Sequence, residues 1–132
     1  MLARVALVLV AVPVLVWVGM LLSGFERDKS LRLQALYGPI PPGQAKRERD
    51  LEGLRDASRF DPDSDWELAQ AIYLHRTGRD RDASRVAEQL VEREPDNLAA
   101  WGTLFMSSRT GDPARAAEAA SQLKRLDPLG RG

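Results

Sequence analysis

Few residues in this chain combine the types and spacing that chemistry requires. Asp61, Asp63 and Asp65 alternate like the opening of a calcium loop, but such a loop needs glycine at its sixth position and glutamate at its twelfth. Those places hold Trp66 and Ile72. Acids spaced this way just ahead of a helix instead complement its positive amino terminus. His75 is the only histidine, and there is no cysteine. With no acid in register beside it, this imidazole builds neither a metal site nor a triad. The glycines stand singly near helix ends, so no phosphate cradle forms. The expectation is therefore a protein that is not an enzyme and holds no cofactor or metal.

Charge removes another class. The 19 basic and 19 acidic residues balance. Residues 1–60 carry nine basic against six acidic, and residues 61–132 carry ten against thirteen. Neither half is basic enough to follow a nucleic-acid backbone. The absence of cysteine also excludes disulfides and a lipidated cysteine, while leaving the redox compartment open. Arginine supplies 16 of the basic residues and alanine is abundant, a composition that fits a GC-rich bacterial genome.

What remains is recognition, and the elements that would present it repeat. Arg76, Thr77 and Gly78 return 33 residues later as Arg109, Thr110 and Gly111; Ala83, Ala87, Gln89, Leu90 and Pro95 return as Ala116, Ala120, Gln122, Leu123 and Pro128. Pro62 stands one period before Pro95. A fixed period of this size marks stacked helical pairs, because one pair cannot cover its own apolar face. Four helices are expected between Ser64 and Pro128. The first starts near Ser64, which has capping-box spacing to Glu67. The second carries Ala83, Val86, Ala87, Leu90 and Val91, an i, i+3, i+4, i+7, i+8 stripe destined for the core. Asn97 caps the third, and Asp112 with Pro113 opens the fourth. Gln44 to Phe60 reads as the second half of a preceding pair whose first half is missing.

The order Trp101, Leu104, Gly111, Ala116, Ala120 and Pro128 resembles the tetratricopeptide repeat, specifically its membrane-anchored bacterial members, over about half the chain. The family usually repeats every 34 residues, so the turn at Gly111 is one residue short, and Phe105 stands at its glycine crossing. The resemblance implies about two and a half repeats whose first helices line a groove for other proteins. At the 33-residue spacing it pairs Tyr73 with Met106 and Arg76 with Arg109 as neighbouring rungs. Two arginines beside an apolar rung suit a peptide carboxylate, although arginines ahead of glycines also serve as helix carboxyl-terminal caps. The Lys and Asn of the family's peptide-carboxylate clamp have no counterpart here. Alanine-rich residues 114–120, with Leu123 and Leu126, give the last helix a small apolar face with no helix to follow. That face is expected to support partner contact or weak self-association.

The amino terminus points to a membrane. Val5 to Phe25 is 21 residues without a charge, about 31 Å as a helix against a hydrocarbon core of roughly 30 Å. It is too long for a signal-peptide apolar region, and Leu22, Ser23 and Gly24 make a poor cleavage site. Counting Arg27, Lys29 and Arg32 against Arg4 and the terminal amine places the carboxyl side in the cytoplasm. The four-residue tail ahead of the span is instead the layout of a signal anchor, which puts the repeats outside, and that orientation is preferred. Gly38, Pro39, Pro41, Pro42 and Gly43 read as a hinge or spacer.

Together these readings give an all-α, single-pass protein of the cell (inner) membrane. Residues 1–25 form the anchor, 26–43 a juxtamembrane helix and linker, and 44–132 a repeat domain. The expected role is a scaffold that binds other proteins, as in the assembly of an envelope complex. The alternative is a small accessory subunit held in a larger membrane complex through its spanning helix.

Overall fold

The computed structural model describes residues 29–60 and 63–128, and the whole of that part is helix and short connections. Residues 29–37 are helical (α1). They are followed by α2 (Gln44–Phe60), α3 (Ser64–Arg76), α4 (Asp80–Arg93), α5 (Leu98–Ser108) and α6 (Pro113–Leu126). The apolar stretch expected to anchor the chain lies outside the described residues. Among those described, no helix is long and apolar enough to cross a membrane.

Local chemistry sets most of the helix ends. Asn97 accepts the Ala100 amide at 3.0 Å, and Asp112 accepts the Arg115 amide at 3.0 Å with Pro113 opening α6; both satisfy amides that have no partner within the helix. At α3 the cap is Asp63, which accepts from the Asp65 amide, so Ser64 is the first helical residue and not the cap. Gly78 closes α3 with φ +78, a left-handed turn that a side chain resists, and its amide reaches the His75 carbonyl. Its echo Gly111 has no positive φ.

Consecutive helices pack in order: α2 on α3, α3 on α4, α4 on α5 and α5 on α6, with α3 also touching α5. Two apolar clusters result. One joins Ala35, Leu51, Leu54, Trp66, Tyr73 and Leu74. The other joins Ala87, Leu90, Trp101, Leu104 and Ala119, and Val86 packs against both. The α4 stripe expected in the core is there, with Ala83, Ala87, Leu90 and Val91 buried.

Two expectations need correction. The Pro/Gly segment does not separate two bodies. Ala35 of α1 is buried among α2 and α3 side chains, with Leu31 and Leu36 packed against the same cluster. Pro41 is itself buried, and its carbonyl accepts from Arg47 Nε at 2.7 Å. α1 thus supplies the missing partner of α2. The second correction concerns α6. Ala116 and Ala119 are buried, while Leu123 and Leu126 pack against the second cluster. The outward residues are Ala114, Ala117, Glu118, Ser121, Lys124 and Arg125, a small and polar surface with no apolar stripe to drive association.

Candidate partner-binding face

The four residues expected to line a groove are used in two different ways. Tyr73 is 3% exposed. Its hydroxyl donates to Asp50 Oδ2 of α2 at 3.3 Å. Burial and the adjacent Asp50 carboxylate, both of which penalise a phenolate, push its pKa up to about 12. Arg76 reaches back to α1, donating from Nη1 to the Ala35 carbonyl at 2.6 Å and from Nη2 to the Gly38 carbonyl at 2.5 Å. It is a carboxyl-terminal cap for a helix 38 to 41 residues away in sequence, where cations complement the helix dipole. Neither residue faces a groove.

Met106 and Arg109 are open. Met106 is 46% exposed, and the Arg109 guanidinium carbon lies 5.7 Å from the centre of the Phe105 ring, within cation–π range. The inner face of α5 is fixed by Trp101, whose Nε1 donates to the Pro95 carbonyl at 2.8 Å, and by fully buried Leu104. That leaves Leu98, Gly102, Phe105, Met106 and Arg109 along the outer face, with nothing within 4 Å of where a Gly102 side chain would begin. Because Gly102 lacks a side chain, another backbone can approach α5 closely there.

The expected rungs fail for a physical reason. α4 and α6 begin 33 residues apart, at Asp80 and Pro113, but α3 and α5 begin 34 apart, at Ser64 and Leu98. Burial on the first helices follows the longer spacing: Trp66, Ala69, Tyr73 and Leu74 match Ala100, Thr103, Ser107 and Ser108. One residue turns a helix by about 100°, so Tyr73 corresponds to Ser107 and not to Met106.

The matched register explains the open face. On α3, Ala71 and Leu68 belong to the cluster that holds Trp101, Leu104 and Phe105 of α5. Thirty-four residues on, the same places on α5 are Phe105 and Gly102, and Ile72 and His75 match Met106 and Arg109. Where α3 has α5 against it, the α5 positions have nothing among the described residues.

Two further groupings were not legible beforehand. His75 Nδ1 and Asp80 Oδ1 are 2.7 Å apart across the α3–α4 turn, an acid partner that helical register hides because the two residues sit on different helices. Ser84 of α4 donates to Ser107 of α5 at 2.9 Å and lies 3.3 Å from Ser108. Ser107 passes its own proton to the Thr103 carbonyl at 2.9 Å. These buried hydroxyls satisfy one another between the helices. Among the described residues no group of three or more His, Cys, Asp or Glu side chains could hold a metal ion.

No protein-family model matches the sequence, and no curated protein or solved structure matches it either.

Proposed function

We propose that the chain is a membrane-anchored scaffold of tetratricopeptide type, not an enzyme, that holds another protein on the outer face of α5. The observation that carries this reading is the uncovered stripe Leu98, Gly102, Phe105, Met106 and Arg109. Its counterparts on α3 have a helix against them, and the stripe keeps the same shape with that place empty. The fitting partner is an amphipathic helix with a small or aliphatic residue over Gly102 and a carboxylate for Arg109. A membrane position follows from Val5 to Phe25 and would concentrate the scaffold beside partners in the same bilayer. The anchor and the repeat assignment rest on the sequence pattern.

A photo-crosslinking residue at Met106, compared with one at Trp17 in the apolar stretch, tests this in the full chain in its membrane. Crosslinks from Met106 that disappear in Arg109→Glu/Gly102→Glu support the scaffold. Crosslinks from Trp17 alone would move the partner to the spanning segment and favour the accessory-subunit reading.

A further inference from the structure

Three of the five large apolar side chains exposed on the described residues, Leu33, Tyr37 and Ile40, lie close together at the edge nearest the amino terminus. Leu33 is 58% exposed and Tyr37 81%. Four residues apart on α1, they stand above one another on one face. That face has a fixed direction. The opposite face is committed to the core through Leu31, Ala35 and Leu36. Arg76 caps the carboxyl end of the helix, and Arg32 pairs with Asp65 of α3 at 2.9 Å. Beside Leu33 opens a cavity of about 240 Å³ lined by Lys29, Arg32, Leu33 and Trp66.

We propose that the Leu33–Tyr37 face of α1 rests on the phospholipid surface beside the chain's own anchor. The inference depends on the anchored reading given above. Phe25 is the last residue of the uncharged stretch, and Lys29 follows four residues later. Fully extended, four residues reach about 14 Å, while the headgroup layer on one side of a bilayer is itself about 5–8 Å thick. The tether therefore holds α1 at the membrane surface. An apolar face kept there is covered more favourably by lipid than by water. Tyrosine suits the interface, with its ring in the apolar boundary and its hydroxyl in water. Lys29, four residues before Leu33 on the same face, meets anionic headgroups, as does Arg27 in the tether. Met106 and Leu98, the other two exposed apolar side chains, lie on α5 and have no such tether.

The absence of cysteine makes the test clean. Leu33→Cys, Tyr37→Cys and Met106→Cys each accept one environment-sensitive dye at an exposed position, where the fold does not depend on the side chain. The full chain is reconstituted into vesicles of phosphatidylcholine and phosphatidylserine and read against two quenchers, one carried on a lipid and one iodide in water. Dyes at 33 and 37 are expected to lose most of their emission to the lipid-borne quencher and little to iodide, with the reverse at 106. Dyes at 33 and 37 that iodide reaches as readily as at 106 overturn the proposal. Dyes shielded from both quenchers overturn it too, since a protein then covers the face. An alkaline carbonate wash separates the two readings. A chain that washes off loses its anchor and this inference with it, whereas a retained chain with wet dyes at 33 and 37 loses the inference alone.

Discussion

α3 and α5 are first helices of successive pairs, built to one register, yet α3 is a filled element and α5 a half-open one. α3 has α2 and α1 on one side and α4 and α5 on the other. Its polar tips are all engaged inside the molecule, Tyr73 with Asp50, Arg76 with α1 and His75 with Asp80. α5 has neighbours on one side only, and its outer residues make a single internal contact, Arg109 over Phe105. The same side-chain type therefore does different work according to what lies across from it: one arginine caps a helix, the other stands at the surface.

The largest break in that comparison comes from removing the cover. A chain starting at residue 44 loses the acceptors of Arg76 and uncovers Leu51, Leu54 and Trp66. It should lose at least the roughly 2–5 kcal/mol of a single core truncation. A thermal melt of residues 44–132 matching that of residues 29–132 would show that α1 is dispensable.

Next in size are the two arginines. Arg76→Ala leaves two part-buried carbonyls without their charged donor and should cost about 2–3 kcal/mol in urea unfolding. Arg109→Ala should stay within about 0.5 kcal/mol. Equal effects would mean that the two helices are covered alike.

A pH titration sharpens the same contrast. Tyr73 is held neutral with its pKa raised to about 12 from an ordinary 10.0. A raised folded-state value stabilises the fold fully below the unfolded value and loses that contribution as pH rises through the folded one. Stability should therefore fall between about pH 10 and pH 12. In Tyr73→Phe that part of the fall should vanish, as read by circular dichroism against pH.

The smallest effect on stability is expected for Met106→Glu, within about 0.5 kcal/mol because the side chain is at the surface. Its effect on crosslinking to a partner should be the largest of all. A destabilised Met106→Glu would mean that α5 is not open after all.

Much of this architecture was legible in the sequence where the signal is local. Asn97, Asp112 and Pro113 mark helix starts through a side chain that bonds an amide two or three residues on, and the α4 stripe is periodic. Distant partnerships were not legible. Arg76 finds backbone carbonyls, and a carbonyl carries no residue type to read. The groove residues were misplaced because the strongest echo, Arg-Thr-Gly, keeps 33 while the helix starts at Asp63 and Asn97 keep 34. A match of caps would have exposed the slip.

The cap on α1 also fixes an order of events. Ribosomes deliver the chain amino terminus first, at about 5–20 residues per second. Arg76 lies 41 residues after Ala35, so the end of α1 waits at least about 2–8 seconds for the side chain that closes it. Through that interval the segment behind the apolar stretch has no α3 to dock on. Ala35 and Leu36 are left against whatever surface is nearest, and the helix that ties the domain to its amino terminus is among the last to be secured.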